Sequence, residues 1–232
     1  MMCRLAALFG LSVALLAAET KVNPRDGLIY IWIAPGTFSY GCSRGDIECF
    51  DWEPAARTIT LGRGFWIGQT EVTQRAYERV MDTNPSRYKG ADLPVEQVGW
   101  DDARAYCRAA GMRLPTEIEW EYAARGGSSS PRYGMLASIA WSDADSGDVT
   151  HPVATKSPNA YGLYDTLGNV WEWVEDARSP TQKYLRGSAF VSIPRDLRVS
   201  NRLWATPDTR HRDMGIRCAG DTPPTSAPAS TK

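Results

Sequence analysis

Histidine is almost missing from this chain. The two examples among 232 residues, His151 and His211, stand alone, with no His-x-x-x-His or His-x-x-Glu-His spacing. The helical zinc-hydrolase patterns are therefore excluded. Neither sign of charge is in surplus, 26 Lys and Arg facing 27 Asp and Glu. That argues against a nucleic-acid binder working through a basic face. No Cys-x-x-Cys pair and no cysteine–histidine cluster offers a structural zinc site. Beyond the N-terminal apolar stretch, no run is long enough to cross a membrane. No repeat and no linker divides the chain into two domains.

The N-terminal stretch reads as an export signal. Arg4 is the only charge before the apolar run Leu5 to Ala18, and small Ala17 and Ala18 precede polar Glu19. The run is short for a membrane span and has the layout of a secretory signal cut after Ala18. The expected division is a signal over 1–18, one domain over 19–221 and a disordered tail over 222–232, which holds three prolines among small and polar residues. Cys3 leaves with the signal, so Cys42, Cys49, Cys107 and Cys218 remain. An exported, periplasmic setting favours disulfides. Four cysteines allow three pairings; the local choice is Cys42–Cys49 with Cys107–Cys218.

The hydrophobic fraction of 43% suits a folded domain rather than a disordered one. Nine tryptophans sit mostly near Gly, Pro and Asp, a pattern in which aromatics staple irregular backbone. In 28–40, Ile29, Ile31 and Ile33 alternate with Tyr30 and Trp32 and read as a buried strand broken by Pro35-Gly36. Residues 41–57 read as a polar loop, and 58–68 as another strand. Thr73 caps a helix over about 74–82, Asp101 is the next cap, and Thr116 to Glu119 is a capping box before Trp120. Helical signals fade after 127. Short β pieces return at Val170–Val174, Tyr184–Val191 and Gly215–Cys218. The expectation is one α+β domain with low regular secondary structure.

Five segments in order carry a resemblance. They are Phe65 to Thr73; Pro94 to Ala103 leading into Cys107; Gly111 to Ala123; Asn159 to Asp165 continuing through Gly168-Asn169-Val170-Trp171-Glu172-Trp173; and Leu185-Arg186-Gly187-Ser188 with Gly215-Ile216-Arg217-Cys218. Together they resemble the formylglycine-generating enzyme (sulfatase-modifying factor) family over about residues 28–220. The resemblance implies a single irregular domain related to C-type lectin folds, and a Cys107–Cys218 disulfide. Enzymes of this family oxidise a substrate cysteine with oxygen, using two cysteines and copper held by their thiolates. At the matching positions this chain has Val191 and Asp196, and no cysteine lies between Cys107 and Cys218. A valine can neither bind Cu(I) nor do thiol chemistry. Catalytic residues and copper are therefore expected to be absent. Ser188 has no evident histidine partner for a hydrolase triad.

The resemblance also implies calcium at Asp165, Gly168, Val170 and Glu172, two carboxylates and two carbonyls suited to a hard cation. A second calcium stretch falls within about 138–150, where Asp143, Asp145 and Asp148 supply oxygens. Arg195, Arg198, Arg202, Arg210 and Arg212 form a basic stretch that reads either as a solvated face among Asp196, Asp208 and Asp213, or as a surface for an acidic partner. The leading functional expectation is a non-catalytic regulatory module. Small exported members without the enzyme cysteines, the TagR-type proteins of type VI secretion, are similar in size and layout. That resemblance implies the periplasmic region of a membrane receptor Ser/Thr kinase as partner, with no nucleic acid and no membrane span in the mature chain. The alternatives are an exported enzyme with altered, siderophore-maturation-like chemistry and a calcium-dependent glycan-binding module.

Overall fold

The computed structural model describes residues 18–224. The expected signal up to residue 17 and the tail from residue 225 lie outside the described residues. In chain order the elements are β1 (Thr20–Val22), β2 (Ile29–Ile33), β3 (Gly36–Tyr40), β4 (Arg57–Leu61), β5 (Phe65–Gly68), α1 (Gln74–Met81), α2 (Trp100–Ala109), α3 (Glu117–Arg125), the single turn α4 (Leu136–Ile139), β6 (Trp171–Ser179), β7 (Gln182–Arg186), β8 (Arg202–Ala205), β9 (Met214–Gly215) and β10 (Ala219–Gly220). This is an α+β domain with much irregular backbone, as the sequence implies.

Three sheets organise it. The first has the order β1-β2-β5-β10 and the third the order β8-β7-β6-β9, while β3 and β4 form a separate two-stranded ribbon. In the first sheet Ile31 stands opposite Ile67 and Trp32 opposite Trp66. The expected strand over 58–68 is thus two strands in two sheets, parted at Gly62-Arg63-Gly64. A side chain on Gly64 would lie 2.4 Å from the Trp32 ring, so the chain can turn away there only without one.

The helices start where local chemistry satisfies their free amides. Thr73 accepts from the Ala76 amide at 3.2 Å. Thr116 and Glu119 form the reciprocal box, with the Thr116 amide donating to Glu119 at 2.8 Å. Asp101 does not cap. The second helix begins one residue before it, with Gly99 as N-cap and Asp102 accepting from the Gly99 amide at 2.9 Å. Asp101 lies in the first turn, where an acid still complements the helix dipole. At the other end of α3, the Asn159 amide donates to the carbonyls of Ala123 and Ala124 at 2.8 and 2.9 Å, which ties the irregular 128–170 segment to the helix terminus.

Both cysteine pairs are disulfides: Cys42–Cys49, and Cys107–Cys218, which joins residues 111 apart. The second links α2 to the chain entering β10 inside the main apolar core. The expected tail is anchored at its start. Trp66 Nε1 donates to the Thr222 carbonyl at 2.6 Å, and Pro224 is buried.

Candidate functional site

The segment Asp165 to Glu172 is a tight turn feeding β6. Asp165, Gly168 and Asn169 all have left-handed backbones, with φ of 53°, 85° and 56°. Asp and Asn tolerate that region. Only glycine fits at 168, because a Cβ would lie 2.2 Å from the Trp141 carbonyl oxygen. The turn delivers Asp165 and Glu172 into the interior, where they join Glu71 and Arg217; Asp165 is 1% exposed and Glu71, Glu172 and Arg217 are fully buried. Arg217 grips Glu172 with Nε at 2.9 and 3.0 Å and Nη2 at 2.7 Å. Trp120 Nε1 donates to the same carboxylate at 2.5 Å. Glu71 accepts from Asn169 Nδ2 at 2.7 Å and from the Val170 amide at 3.0 Å.

Three carboxylates therefore surround one guanidinium in a buried site. Burial pushes Glu71 well above the usual carboxylate range, and the charges of Asp165 and Glu172 push it further. Burial likewise raises Asp165 to about 6, with Glu172 adding to the rise. Asp165 Oδ2 accepts from the Ala154 amide at 2.7 Å, whereas Oδ1 is buried without a hydrogen-bond partner.

That orphaned oxygen, the excess negative charge and the all-oxygen donor set suit a hard divalent cation. Asp165 and the carbonyls of Gly168 and Val170 are the residues that would hold calcium. Glu172 would join only by sharing oxygens already bonded to Arg217 and Trp120, which a carboxylate's several lone pairs permit. The second acidic stretch is differently placed. The Lys156 ammonium binds Asp145 at 2.5 Å and the Ala137 carbonyl at 2.7 Å, and Arg212 holds both oxygens of Asp148 at 2.8 and 2.9 Å. Protein cations neutralise two of its three carboxylates.

Val191, which the sequence resemblance sets against an enzyme cysteine, is 36% exposed. It lines a cavity of about 190 Å³ with Asp143, Ser146, Asp148 and Phe190. Asp196 lies five residues on, its amide bonded to the Ile193 carbonyl at 2.9 Å and its own carbonyl accepting from Ser188 Oγ at 2.7 Å. Burial raises its carboxyl above the usual value, and Asp143 adds to the rise. A Cu(I) ion needs soft thiolates. Val191 offers no ligand atom, Asp196 a hard oxygen, and all four described cysteines are in disulfides. These residues do not fit copper. Cys42, Asp46 and Cys49 form the only described set of three such ligand groups within 4.8 Å of one another, but their sulfurs are bonded together.

The basic stretch is not a continuous surface. Arg198 is fully buried, paired with Glu53 and with Asp46. Arg195 donates to the Glu48 carbonyl at 3.1 Å and covers the Phe50 ring. Arg202 donates to the Trp52 carbonyl at 2.7 Å and to Glu117 at 3.2 Å. These three clamp the 42–57 loop, which corrects the reading of Arg198 as a partner contact: a buried, doubly paired guanidinium cannot meet another molecule. Arg210 pairs with Asp102 and Arg212 with Asp148, on other parts of the surface. His151 stacks on Trp141 with ring centres 3.6 Å apart, and His211 pairs with Asp213 at 2.6 Å; each is locally engaged.

Sequence reasoning missed the inward charges Glu71, Arg186 and Arg217. Their signal was a lone charge inside an apolar motif, as in Leu185-Arg186-Gly187 and Ile216-Arg217-Cys218. Arg186 reaches Glu117 at 3.1 Å and Glu121 at 2.6 Å, and Glu121 also holds Arg125 at 2.8 Å. Arg202 ends this ladder at Glu117.

The sulfatase-modifying factor enzyme 1-like domain matches residues 16–222. The chain belongs to that family. A formylglycine-generating enzyme of Streptomyces coelicolor is 38% identical over 174 residues, 59% of this chain and 55% of that protein. A mouse protein named inactive C-alpha-formylglycine-generating enzyme 2 is 38% identical over 151 residues, 55% of this chain and 49% of that protein. A serine/threonine-protein kinase of Chlamydia caviae, pkn1, is 38% identical over 150 residues, 56% of this chain and 24% of that protein. The chain thus spans about half the length of the two formylglycine-type relatives. Among solved structures, Treponema denticola variable protein 1 has 27% identity and a TM-score of 0.78, covering 88% of this chain and 99% of that one.

Proposed function

We propose that this chain is an exported, non-catalytic member of the sulfatase-modifying factor family that acts by binding, and that its partner is the periplasmic region of a membrane Ser/Thr kinase controlling type VI secretion. The observation that carries the non-catalytic part is the pair Val191 and Asp196 at the cysteine positions, with every described cysteine sequestered in a disulfide. Nothing there can become the thiolate the family's chemistry needs. The name of the mouse relative, an inactive enzyme of similar identity, supports a fold retained without the chemistry. The Chlamydia caviae relative, in which a matching region is part of a protein named as a Ser/Thr kinase, supports the kinase connection. In this reading calcium at Asp165 and the carbonyls of Gly168 and Val170 orders the turn that feeds β6, and supplies positive charge rather than reactivity.

Two measurements test the proposal. The purified protein is titrated onto the purified periplasmic region of the kinase, and kinase phosphorylation is followed in membranes with and without the protein. Saturable binding and protein-dependent phosphorylation are expected; phosphorylation that is the same without the protein rejects the regulatory role. Incubation with copper and a cysteine-containing sulfatase peptide is expected to yield no aldehyde, and turnover would reject the non-catalytic reading. For the ion, calcium is expected to raise the melting temperature of the wild type and not of Asp165→Ala, which removes the side-chain oxygens.

A further inference from the structure

A cavity of about 560 Å³ opens where the β3–β4 ribbon meets the third sheet. Six elements each place a polar side chain in its wall: Tyr40 from β3, Arg57 from β4, Glu117 from α3, Asp176 from β6, Tyr184 from β7 and Arg202 from β8. Neither the cysteine positions nor the calcium turn contribute to it.

Tyr40 stands out in this wall. It is 3% exposed, yet it lines the cavity, and its hydroxyl has no hydrogen-bond partner among the described residues. A buried hydroxyl is normally paired. Burial pushes it above the ordinary tyrosine value, against the pull of Arg186, so it stays protonated and can donate. Arg186 is itself fully buried, and its Nε is likewise without a partner.

The charges around Tyr40 are not matched within the wall. The buried ladder sets three guanidiniums, Arg125, Arg186 and Arg202, against two carboxylates, Glu117 and Glu121. Arg202 directs Nε and Nη2 to the Trp52 carbonyl and Nη1 to Glu117, which leaves one N–H of Nη2 uncommitted. Arg57 pairs with Tyr40 across the ribbon and holds its guanidinium 5.3 Å from the Tyr40 ring centre. No carboxylate pairs with Arg57 among the described residues. Asp176 accepts from the Glu117 amide through Oδ2 at 2.6 Å. Its other oxygen has no partner, and no cation pairs with it, among the described residues.

We infer that this cavity binds a small amino-carboxylate, a ligand with one carboxylate, one ammonium and a compact apolar frame. The carboxylate meets Arg57, the Tyr40 hydroxyl and the uncommitted N–H of Arg202, a donor set that carboxylate oxygens satisfy. The ammonium meets the unpaired oxygen of Asp176. Pro54, Ala55, Ala56 and Ala177 complete the wall and suit a frame with small side chains. Glu117 and Asp176 in the same wall oppose a phosphate dianion, so a ligand with a single negative charge is favoured. A free amino acid and a dipeptide share this chemistry.

Calorimetric titration of the purified protein with L-alanine and with L-alanyl-L-alanine tests the inference and tells the two sources apart. Saturable binding of at least one is expected at millimolar concentration. Amidation of the ligand's carboxylate and acetylation of its amine are each expected to weaken binding to the wild type by about tenfold or more. Tyr40→Phe keeps the ring, and Asp176→Asn can still accept from the Glu117 amide; each is expected to weaken binding by about tenfold. Because the blocked ligands are read on the wild type, a variant that fails to fold leaves the test intact. No saturable binding of either ligand at millimolar concentration overturns the inference. So does a blocked ligand that binds as well as the free one, or binding undiminished in both variants.

Discussion

Two fully buried Arg–Glu pairs sit in different parts of this molecule and do different things. Arg217 holds Glu172 behind the Gly168-Asn169-Val170 turn, deep among the family motifs. Arg198 holds Glu53 and pins the disulfide loop 42–57 against the segment that carries Val191 and Asp196. The first pair stands among surplus carboxylates and joins β6 to the strand-like run before β10. The second attaches a surface excursion to a finished body. The contrast separates a loop clamped onto the body from the body itself: Val191 and Asp196 lie on the segment that the loop is clamped against, and that segment is bonded to the Asp165–Glu172 turn, the Phe190 amide donating to the Asn169 carbonyl at 2.8 Å.

Breaking the long disulfide should have the largest effect on the central region. Cys107→Ala with Cys218→Ala should cost roughly 4–5 kcal/mol by the chain-entropy argument, against about 2–3 for the short Cys42–Cys49 loop. Urea unfolding of the two double variants reads the difference, and equal losses would abolish the distinction between body and attached layer. Next comes Arg217→Met, which strands Glu172 beside Glu71 and Asp165; a loss of about 4 kcal/mol is expected, with global unfolding at lower urea. Arg198→Met should cost less, about 3 kcal/mol, and should open the 42–57 loop before the rest. Limited proteolysis checks this: early cleavage confined to that loop is expected, and wholesale digestion would mean that the clamp belongs to the core.

The smallest effect is on pH dependence. Burial, with Asp143 adding to it, raises the Asp196 carboxyl in the folded state. The folded form therefore holds that proton more tightly than the unfolded one. Its contribution favours folding at acid pH and declines as pH rises from the ordinary carboxylate range through the folded value. Asp196→Asn should remove that slope. Amide exchange of residues 188–198 across the acid range measures it, and an unchanged slope would reject Asp196 as its source.

Much of the fold was legible because several signals are local. The Thr116–Glu119 box, the Thr73 cap and the Ile29-Ile31-Ile33 alternation each act within a few residues. The family motifs marked the segment that forms the Asp165–Glu172 turn. What was not legible depends on partners far away in the chain. Arg198 reads as surface charge until Glu53, 145 residues away, is seen across from it. The 58–68 run reads as one strand because its break at Gly64 is imposed by the Trp32 ring. Gly99 rather than Asp101 begins α2 because the chain crosses the Pro207 carbonyl, 2.7 Å from where a Cβ would lie.

The strand order β1-β2-β5-β10 has a consequence for modularity. The first and last described strands are the two edges of one sheet, three strand spacings or about 14 Å apart. A longer polypeptide can therefore enter and leave this unit on one side without threading through it. The same unit can then be spliced into unrelated architectures, and the Chlamydia caviae kinase, in which the matching region makes up 24% of the protein, has the proportions of such a splice.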